Sequence, residues 1–195
     1  MKIRYLFLLL IFLNSCAGTG TSGLFGTGVS VAVDPRSIGT QIDDTIMQKN
    51  LVARLSLNEK KYFLKIQVEV LDGRIFLAGT VDEPEEKIKI TKLAWETKGV
   101  REVKNAITIK GDSNFKQTAK DILITSQLRT ALIFNKKTKS RNYTLETIDR
   151  KIYIFGIAMD IDEKKEVLSE AEKIYDVEKI IPSIYLANEL SRNKI

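Results

Sequence analysis

The stretch Gly73-Arg74-Ile75-Phe76-Leu77-Ala78-Gly79 decides the fold of this chain. Its apolar side chains predict a short buried strand, which a glycine closes. A shift of 77 positions places the last five of these residues on Ile152-Tyr153-Ile154-Phe155-Gly156, with the same class of residue at four of five places and the same glycine. The chain therefore contains this strand twice.

The match continues on both sides of the strand, over about 60 positions. The matched positions carry core-type apolar residues: Leu51 with Leu128, Leu55 with Leu132, Val68 with Leu145, Ala94 with Ala171, Val103 with Ile180 and Ile107 with Ile184. Because chance similarity would not preserve core-type positions over such a length, we interpret the pattern as an internal duplication.

Each repeat predicts the order helix, strand, strand, helix, strand. The sequence therefore indicates an α+β protein with two tandem αββαβ domains, each a three-stranded mixed sheet with two helices on one face. We expect the first domain over residues 34–110 and the second over residues 114–187. A lipoprotein signal peptide over 1–15, a flexible lipidated tether over 16–33 and a frayed tail over 188–195 complete the expected organisation.

In the first domain, Asp43 or Asp44 is expected to cap the first helix, which places Ile46 inward with Leu51 and Leu55. The alternation of Phe63–Val70 predicts the strand that follows this helix.

The next helix of the first domain is expected to run from Pro84 to Thr97. Ile88, Leu93 and Ala94 are expected to face inward on it, and Trp95 to be a core or interface residue.

In the second domain we expect helices at Gln117–Phe134 and Ile161–Tyr175. The strands are expected at Tyr143–Ile148, Lys151–Ala158 and Val177–Leu186. Pro182 cannot donate to a strand ladder, so its strand should lie at a sheet edge.

The composition argues against several kinds of active site. At 44% hydrophobic and 29% charged residues, the chain is ordinary for a globular protein. Histidine is absent and Cys16 is the only cysteine, which removes histidine-dependent catalysis and an intramolecular disulfide. No carboxylates stand in a recognisable catalytic spacing, so we expect a non-enzymatic protein without a metal or cofactor.

The amino terminus is typical of an export signal. Two basic residues precede nine apolar residues from Tyr5 to Leu13, too few to span a bilayer. The signal ends in Leu13-Asn14-Ser15-Cys16, which resembles the bacterial lipobox, and this resemblance implies acylation of Cys16. Several acyl chains make a stable anchor. A plain secretory signal with an incidental cysteine is the alternative.

The repeated unit resembles the BON domain of bacterial envelope proteins. The resemblance rests on the Gly99-Val100-Arg101-Glu102-Val103 pattern and on the strand glycines Gly79 and Gly156. A lipobox, the Asp34–Asp44 segment and two such units together resemble a dual-BON-domain outer-membrane lipoprotein. One departure is Asp176 at the place of Gly99, so the turn of the second unit must tolerate aspartate.

The resemblance implies a non-enzymatic lipoprotein at the periplasmic face of the outer membrane. Such a protein would bind anionic phospholipid through its second BON domain and support envelope integrity. The alternative is a periplasmic adaptor or chaperone-like factor that docks on the outer-membrane protein assembly machinery.

The first helix of the second domain offers a candidate binding face. Ile124, Leu128 and Leu132 step by four residues and should face the sheet. Other residues of this helix form a second, partly apolar face, for which we expect contact with lipid or a partner: Leu123, Gln127, Thr130, Ile133 and Phe134. In the alternative interpretation, Leu123 and Phe134 pack against the first domain.

Basic charge is concentrated next to this helix. Between Lys110 and Arg141, eight basic residues stand against two aspartates, an excess of +6 that equals the net charge of the whole chain. The candidate binding cations are Lys136, Lys137, Lys139 and Arg141. Apolar side chains rimmed by lysine suit an anionic membrane surface. Interleaved stacking aromatics are missing, which argues against nucleic acid as the partner.

Overall fold

The computed structural model describes residues 34–110 and 115–191. Val33–Ile195 forms one compact unit. The expected signal peptide, the acylation of Cys16 and the tether lie outside the described residues. Within those residues, no helix combines the length and the apolar character needed to cross a bilayer.

The first repeat begins with two helices and continues with three strands interrupted by a third helix. Its elements are α1 (Ile38–Asn58), α2 (Lys60–Lys65), β1 (Ile66–Leu71), β2 (Arg74–Val81), α3 (Pro84–Trp95) and β3 (Glu102–Ile109).

The second repeat follows the same order without the counterpart of α2. Its elements are α4 (Phe115–Phe134), β4 (Tyr143–Ile148), β5 (Lys151–Ala158), α5 (Ile161–Glu172) and β6 (Lys179–Leu186), with short 3₁₀ turns at Ser140–Asn142 and Ala187–Glu189.

Both sheets have the same mixed topology. The strand orders are β1-β2-β3 and β4-β5-β6; the first pair in each sheet is antiparallel and the second is parallel. Gly79 pairs with Ile66, and Gly156 pairs with Tyr143. Since 77 positions separate both members of these pairs, the duplication extends to strand register, and the predicted αββαβ architecture is confirmed.

The hairpin turns are held by equivalent carboxylates. Asp44 on α1 accepts the backbone N–H groups of Asp72 and Gly73 at 2.6 and 2.9 Å. Asp121 on α4 does the same for Asp149 and Arg150, at 2.9 Å each. All four turn residues have positive φ, which the two-residue hairpin requires.

The turn of the second repeat accommodates an aspartate at the position of Gly99, as expected. Asp176 has a φ of 63°, where Gly99 has 86°. Its carboxylate pairs with Lys120 at 2.8 Å and with Arg150 at 3.1 Å. These ion pairs fasten the strained turn to α4 and to the hairpin.

Each sheet packs its helices on one face, and the two sheets pack on each other through the opposite faces. The helix-side core of the first repeat includes Leu51, Ile75 and Ile90, and that of the second repeat is built in the same way. A separate cluster of Phe76, Ala78, Ala106 and Phe155 lies between the sheets. The sequence did not predict this contact, because period-two patterns do not identify what covers the second face.

Several boundaries differ from the sequence predictions in the first repeat. Helix α1 begins at Ile38, because Ser37 accepts the Thr40 N–H at 3.2 Å and caps it, ahead of the expected caps Asp43 and Asp44. Asp44 is consequently buried inside the helix, and Ile46 is exposed. The expected strand from Phe63 begins only at Ile66, because Lys60–Lys65 forms a helical turn.

The predicted inward face of α3 was right at Ala94, which is fully buried, and at Leu93, which packs on the core, but wrong at Ile88. Ile90 is fully buried, whereas Ile88 and Trp95 are exposed. Pro182 behaves as predicted, because β6 pairs only with β5 in its described sheet.

The segment expected to be a frayed tail is instead ordered as far as Ser191. Leu190 is buried, and the backbone N–H of Ser191 donates to Asp72 at 3.0 Å. The Ser191 hydroxyl also hydrogen-bonds Asp72, so the chain returns to the first hairpin.

Candidate functional site

The candidate face lies on the outer side of helix α4, because the inner side of the helix is buried against the second sheet. Ile124, Leu128 and Leu132 are at most 2% exposed and pack on the second sheet, as the spacing predicted. The helix contains neither glycine nor proline over its 20 residues, so it runs unbroken from the hairpin side to the basic loop.

The outer side of α4 is apolar as well. Leu123 is 57% exposed, Ile133 60% and Phe134 81%, and Gln127 and Thr130 are also exposed. The alternative in which Leu123 and Phe134 pack against the first domain is therefore wrong. Ile122, the residue before Leu123, is 62% exposed and widens this face.

The loop after α4 is fixed by its polar side chains. Asn135 donates to Glu166 and Glu170 of α5 at 2.9 Å each. Thr138 donates to the Leu132 carbonyl at 2.7 Å, which folds the loop back on the end of the helix. The lysines of this loop are therefore presented from a held backbone.

The three lysines of the loop are exposed. Lys137 lies 3.3 Å from Glu166 while its side chain remains 76% exposed. Among the described residues, the ammonium groups of Lys136 and Lys139 have no ion-pair partner within 4.0 Å. Hydrogen bonds from Asn135 and Lys137 lower the pKa of Glu166, so this acid stays charged. Most of the positive charge of the loop is nevertheless available to an external anion.

Arg141 is exposed too, but its surroundings differ from those of the three loop lysines. It lies in the 3₁₀ turn and lines a cleft of about 180 Å³ together with Asp34 and Glu69 of the first repeat. Two acids of the first repeat therefore share the cleft with this guanidinium group.

Two further exposed apolar residues adjoin the basic loop and were missed by the sequence reasoning. Met159 is 46% exposed and Ile161 is 49% exposed, on either side of the α5 cap Asp160. Glu163 accepts the backbone N–H groups of Lys139 and Met159 at 2.6 and 2.8 Å, which places the loop beside the start of α5. The sequence signal that could have identified these two residues is their position on either side of a helix-capping aspartate.

A polar cleft of about 810 Å³ separates the start of α4 from the ends of β2 and β3. Asp121 lines it, but both of its oxygens already accept hairpin N–H groups. Thr125 and Thr147 bond each other at 2.7 Å. These groups stabilise the fold.

Comparison with known proteins identifies the first repeat. Residues 43–111 match the model of the BON domain. An uncharacterised protein of Anaplasma centrale is 31% identical over 131 residues, which cover 67% of this chain and 87% of that protein.

Two named relatives extend over both repeats. The outer membrane lipoprotein DolP of Haemophilus influenzae is 28% identical over 175 residues, 88% of each chain. A 21 kDa hemolysin of Actinobacillus pleuropneumoniae is 26% identical over 152 residues, covering 76% of this chain and 78% of that one.

Among solved structures, the C-terminal domain of CdsD, a structural protein of the Chlamydia trachomatis type III secretion system, matches with a TM-score of 0.30. The identity is 15%, over 73% of this chain and 66% of that one. The family assignment rests on the domain model, the sequence relatives and the αββαβ topology. The chain therefore belongs to the BON-domain family and is similar along most of its length to the outer membrane lipoprotein DolP.

Proposed function

We propose that this protein is a non-enzymatic lipoprotein of the outer membrane, facing the periplasm, which binds anionic phospholipid through its second repeat and supports envelope integrity. The similarity to an outer membrane lipoprotein over 88% of the chain supports the location. Acyl chains on Cys16 would supply the anchor.

The observation that carries the proposal is the apolar outer face of α4 beside an exposed basic loop. We call this surface the α4 face; it comprises Leu123, Gln127, Thr130, Ile133 and Phe134 with Lys136, Lys137 and Lys139. A surface helix normally exposes polar residues opposite its buried stripe. An apolar outer side favours burial against something outside the chain.

The charge of the loop favours a membrane as the occupant. Each basic residue near an anionic surface contributes roughly 1 kcal/mol, so three lysines contribute about 3 kcal/mol before any apolar burial. An acylated protein already resides at the membrane, so this modest attraction is sufficient to orient the second repeat on the headgroups.

The proposal is tested by vesicle flotation. Because Val33–Ile195 is a compact unit, a chain that begins at Val33 removes the acyl anchor from the measurement. We expect it to float with vesicles containing phosphatidylglycerol, to float less at raised salt, and to remain in solution with purely zwitterionic vesicles.

Reversal of Lys136, Lys137 and Lys139 to glutamate is expected to abolish flotation. The matched control reverses three exposed lysines of the first repeat, Lys60, Lys89 and Lys92, and should float normally. Equal flotation of the two variants would refute the proposed lipid site. Unchanged flotation of the first, combined with crosslinks from Phe134 to polypeptide, would favour the adaptor function.

A further inference from the structure

The outer side of α1 is the counterpart of the α4 face. A shift of 77 positions places four α1 residues on four residues of that face: Ile46 on Leu123, Asn50 on Gln127, Ala53 on Thr130 and Leu57 on Phe134. We call these α1 residues the α1 seam. All four are exposed, Ile46 at 54% and Leu57 at 86%. Both repeats therefore present an apolar helix surface.

The charges beside the two surfaces differ. The positions of Lys136, Lys137, Lys139 and Arg141 correspond in the first repeat to Glu59, Lys60, Tyr62 and Leu64. Four cations are thus replaced by one cation and one anion. At roughly 1 kcal/mol for each basic residue, these four positions lose most of their attraction to an anionic membrane.

Two lysines that follow α1, Lys61 and Lys65, are held by acidic side chains. Lys61 lies within 3.5 Å of Glu59 and 3.3 Å of Asp82, and it pairs with Glu86 as well. Lys65 shares Asp82 at 3.2 Å. The segment after α1 therefore provides less free positive charge than the basic loop beside the α4 face.

The α1 seam forms one wall of a groove of about 850 Å³. The opposite wall is the loop after α3, with Thr97, Lys98, Gly99 and Arg101. The groove stays open because Gly99 has no side chain. In the second repeat, Asp176 occupies this position and its ion pair with Lys120 joins the loop to the helix.

The spacing of the α1 seam suits another helix. Its residues follow one another at intervals of four, three and four, as do the contact positions of a coiled coil. Asn50 is a polar residue within this apolar row, and such a residue selects a partner with a matching polar group.

The flanks of the α1 seam favour an acidic partner over a second copy of this chain. Lys49 lies on one side of it and Lys98 lies across the groove, which Asp43 and Arg54 also line. Arg54 pairs with Glu96 at 2.9 Å, whereas Lys49 and Lys98 have no ion-pair partner within 4.0 Å among the described residues. Pairing of two copies would bring basic flanks together, which is unfavourable.

We propose that the α1 seam and its groove bind an amphipathic helix of a partner protein, with an apolar row that packs on Ile46, Ala53 and Leu57 and with acidic flanks. The two repeats would then divide their tasks, the second meeting lipid and the first meeting polypeptide.

The test uses a synthetic helical peptide of three heptads with leucine at the contact positions, one central asparagine and glutamate on both flanks. A second peptide carries lysine in place of each glutamate. Fluorescence anisotropy with the chain that begins at Val33 is expected to show saturable binding of the glutamate peptide, and about tenfold weaker binding of the lysine peptide.

The variant Ile46→Ser, Leu57→Ser is expected to weaken binding of the glutamate peptide by about tenfold or more. Both positions are exposed, so its melting temperature should be unchanged. The matched control, Leu123→Ser with Phe134→Ser, changes the corresponding residues of α4 and should bind the peptide normally.

Four results would overturn the proposal. Equal binding of both peptides, or failure of the glutamate peptide to bind saturably, would exclude an acidic helix. Weaker vesicle flotation of the Ile46→Ser, Leu57→Ser variant would assign the α1 seam to lipid. Dimerisation of the protein that this variant abolishes would assign it to a second copy. Because flotation depends on the α4 face and peptide binding on the α1 seam, failure of either proposal is distinguishable from failure of the other.

Discussion

The rings of Phe76 and Phe155 stack between the two sheets with centroids 5.1 Å apart and planes inclined by 13°. They do not occupy equivalent positions: the counterpart of Phe76 is Tyr153, and that of Phe155 is Ala78. The small Ala78 of the first sheet therefore matches the large Phe155 of the second. The duplicated strands have diverged into complementary surfaces.

Substitution of Phe155 by alanine should uncouple the sheets. The ring is fully buried and also meets Tyr185 edge-on at 6.2 Å, so its removal leaves a cavity between the repeats. We expect a loss of about 3 to 5 kcal/mol in the free energy of unfolding, measured with urea. Tyr175→Ala, at a residue 87% exposed, is the control and should change it by about 0.5 kcal/mol or less. A loss of similar size in both variants would contradict the interface.

Asp72 fastens the end of the second repeat to the first hairpin. Its side chain is fully buried, receives two hydrogen bonds from Ser191 and pairs with Arg74 and Arg101. Burial by itself would raise the pKa of Asp72, but the bonds from Ser191 and the two guanidinium charges outweigh it and lower the pKa. The contact is therefore strongest with the carboxylate ionised.

This contact should fail in acid. Because the pKa of Asp72 is lower in the folded state, the stability it adds is complete above about pH 5 and is lost as the pH falls below about 4. Asp72→Asn should cost about 2 to 3 kcal/mol at neutral pH and reduce the decline of stability in acid. The measurement is urea unfolding across pH. Asp149→Asn, at the equivalent and exposed turn position, is the control and should leave the acid decline in place.

The internal repeat predicted the topology because it places buried positions and strand glycines in the same order twice. What failed were features decided by single side chains. Ser37 caps α1 ahead of the two aspartates, and Asp44 is buried because its carboxylate holds the hairpin N–H groups. A helical pattern cannot distinguish such an inward aspartate from an outward one, so Ile46 was placed on the wrong side.

The strand glycines should tolerate no side chain. A methyl group on Gly79 would overlap the Lys65 carbonyl, and the φ of this residue is 132°. On Gly156 it would overlap the Asn142 carbonyl and the Tyr143 ring. Gly79→Ala and Gly156→Ala should each lower the free energy of unfolding by about 2 kcal/mol or more. Thermal unfolding measures this loss of stability. The control is Ala53→Gly, at an exposed position of α1, which is expected to cost about 1 kcal/mol or less. Unchanged melting of either alanine variant would contradict the tight strand contact.

The candidate face could be predicted from the sequence because α4 carries two apolar stripes. Only one of these stripes can be buried against the sheet, so the other must be exposed. The rest of its surroundings required coordinates. Met159 and Ile161 are brought to the basic loop by the bonds of Glu163 to Lys139 and Met159. Arg141 belongs to the same basic run in sequence, but in the fold it lines a cleft beside Asp34 and Glu69. Neighbours in a charge run separate when a 3₁₀ turn changes the direction of the chain.

Apolar and charged parts of the α4 face should respond differently to salt. Leu123→Ser with Phe134→Ser removes apolar contact, worth up to about 1.5 to 3 kcal/mol for each fully buried side chain, and this contribution is insensitive to screening. The serine variant should therefore bind phosphatidylglycerol vesicles more weakly at every salt concentration while keeping the salt slope of the parent. Reversal of the three loop lysines should instead remove the salt-sensitive binding itself, so that no binding remains for added salt to weaken. Partition titrations at several ionic strengths separate the two effects, with Ile46→Ser, Leu57→Ser as the variant that should match the parent. If the serine variant lost only the salt-sensitive part of binding, Leu123 and Phe134 would not enter the membrane interface.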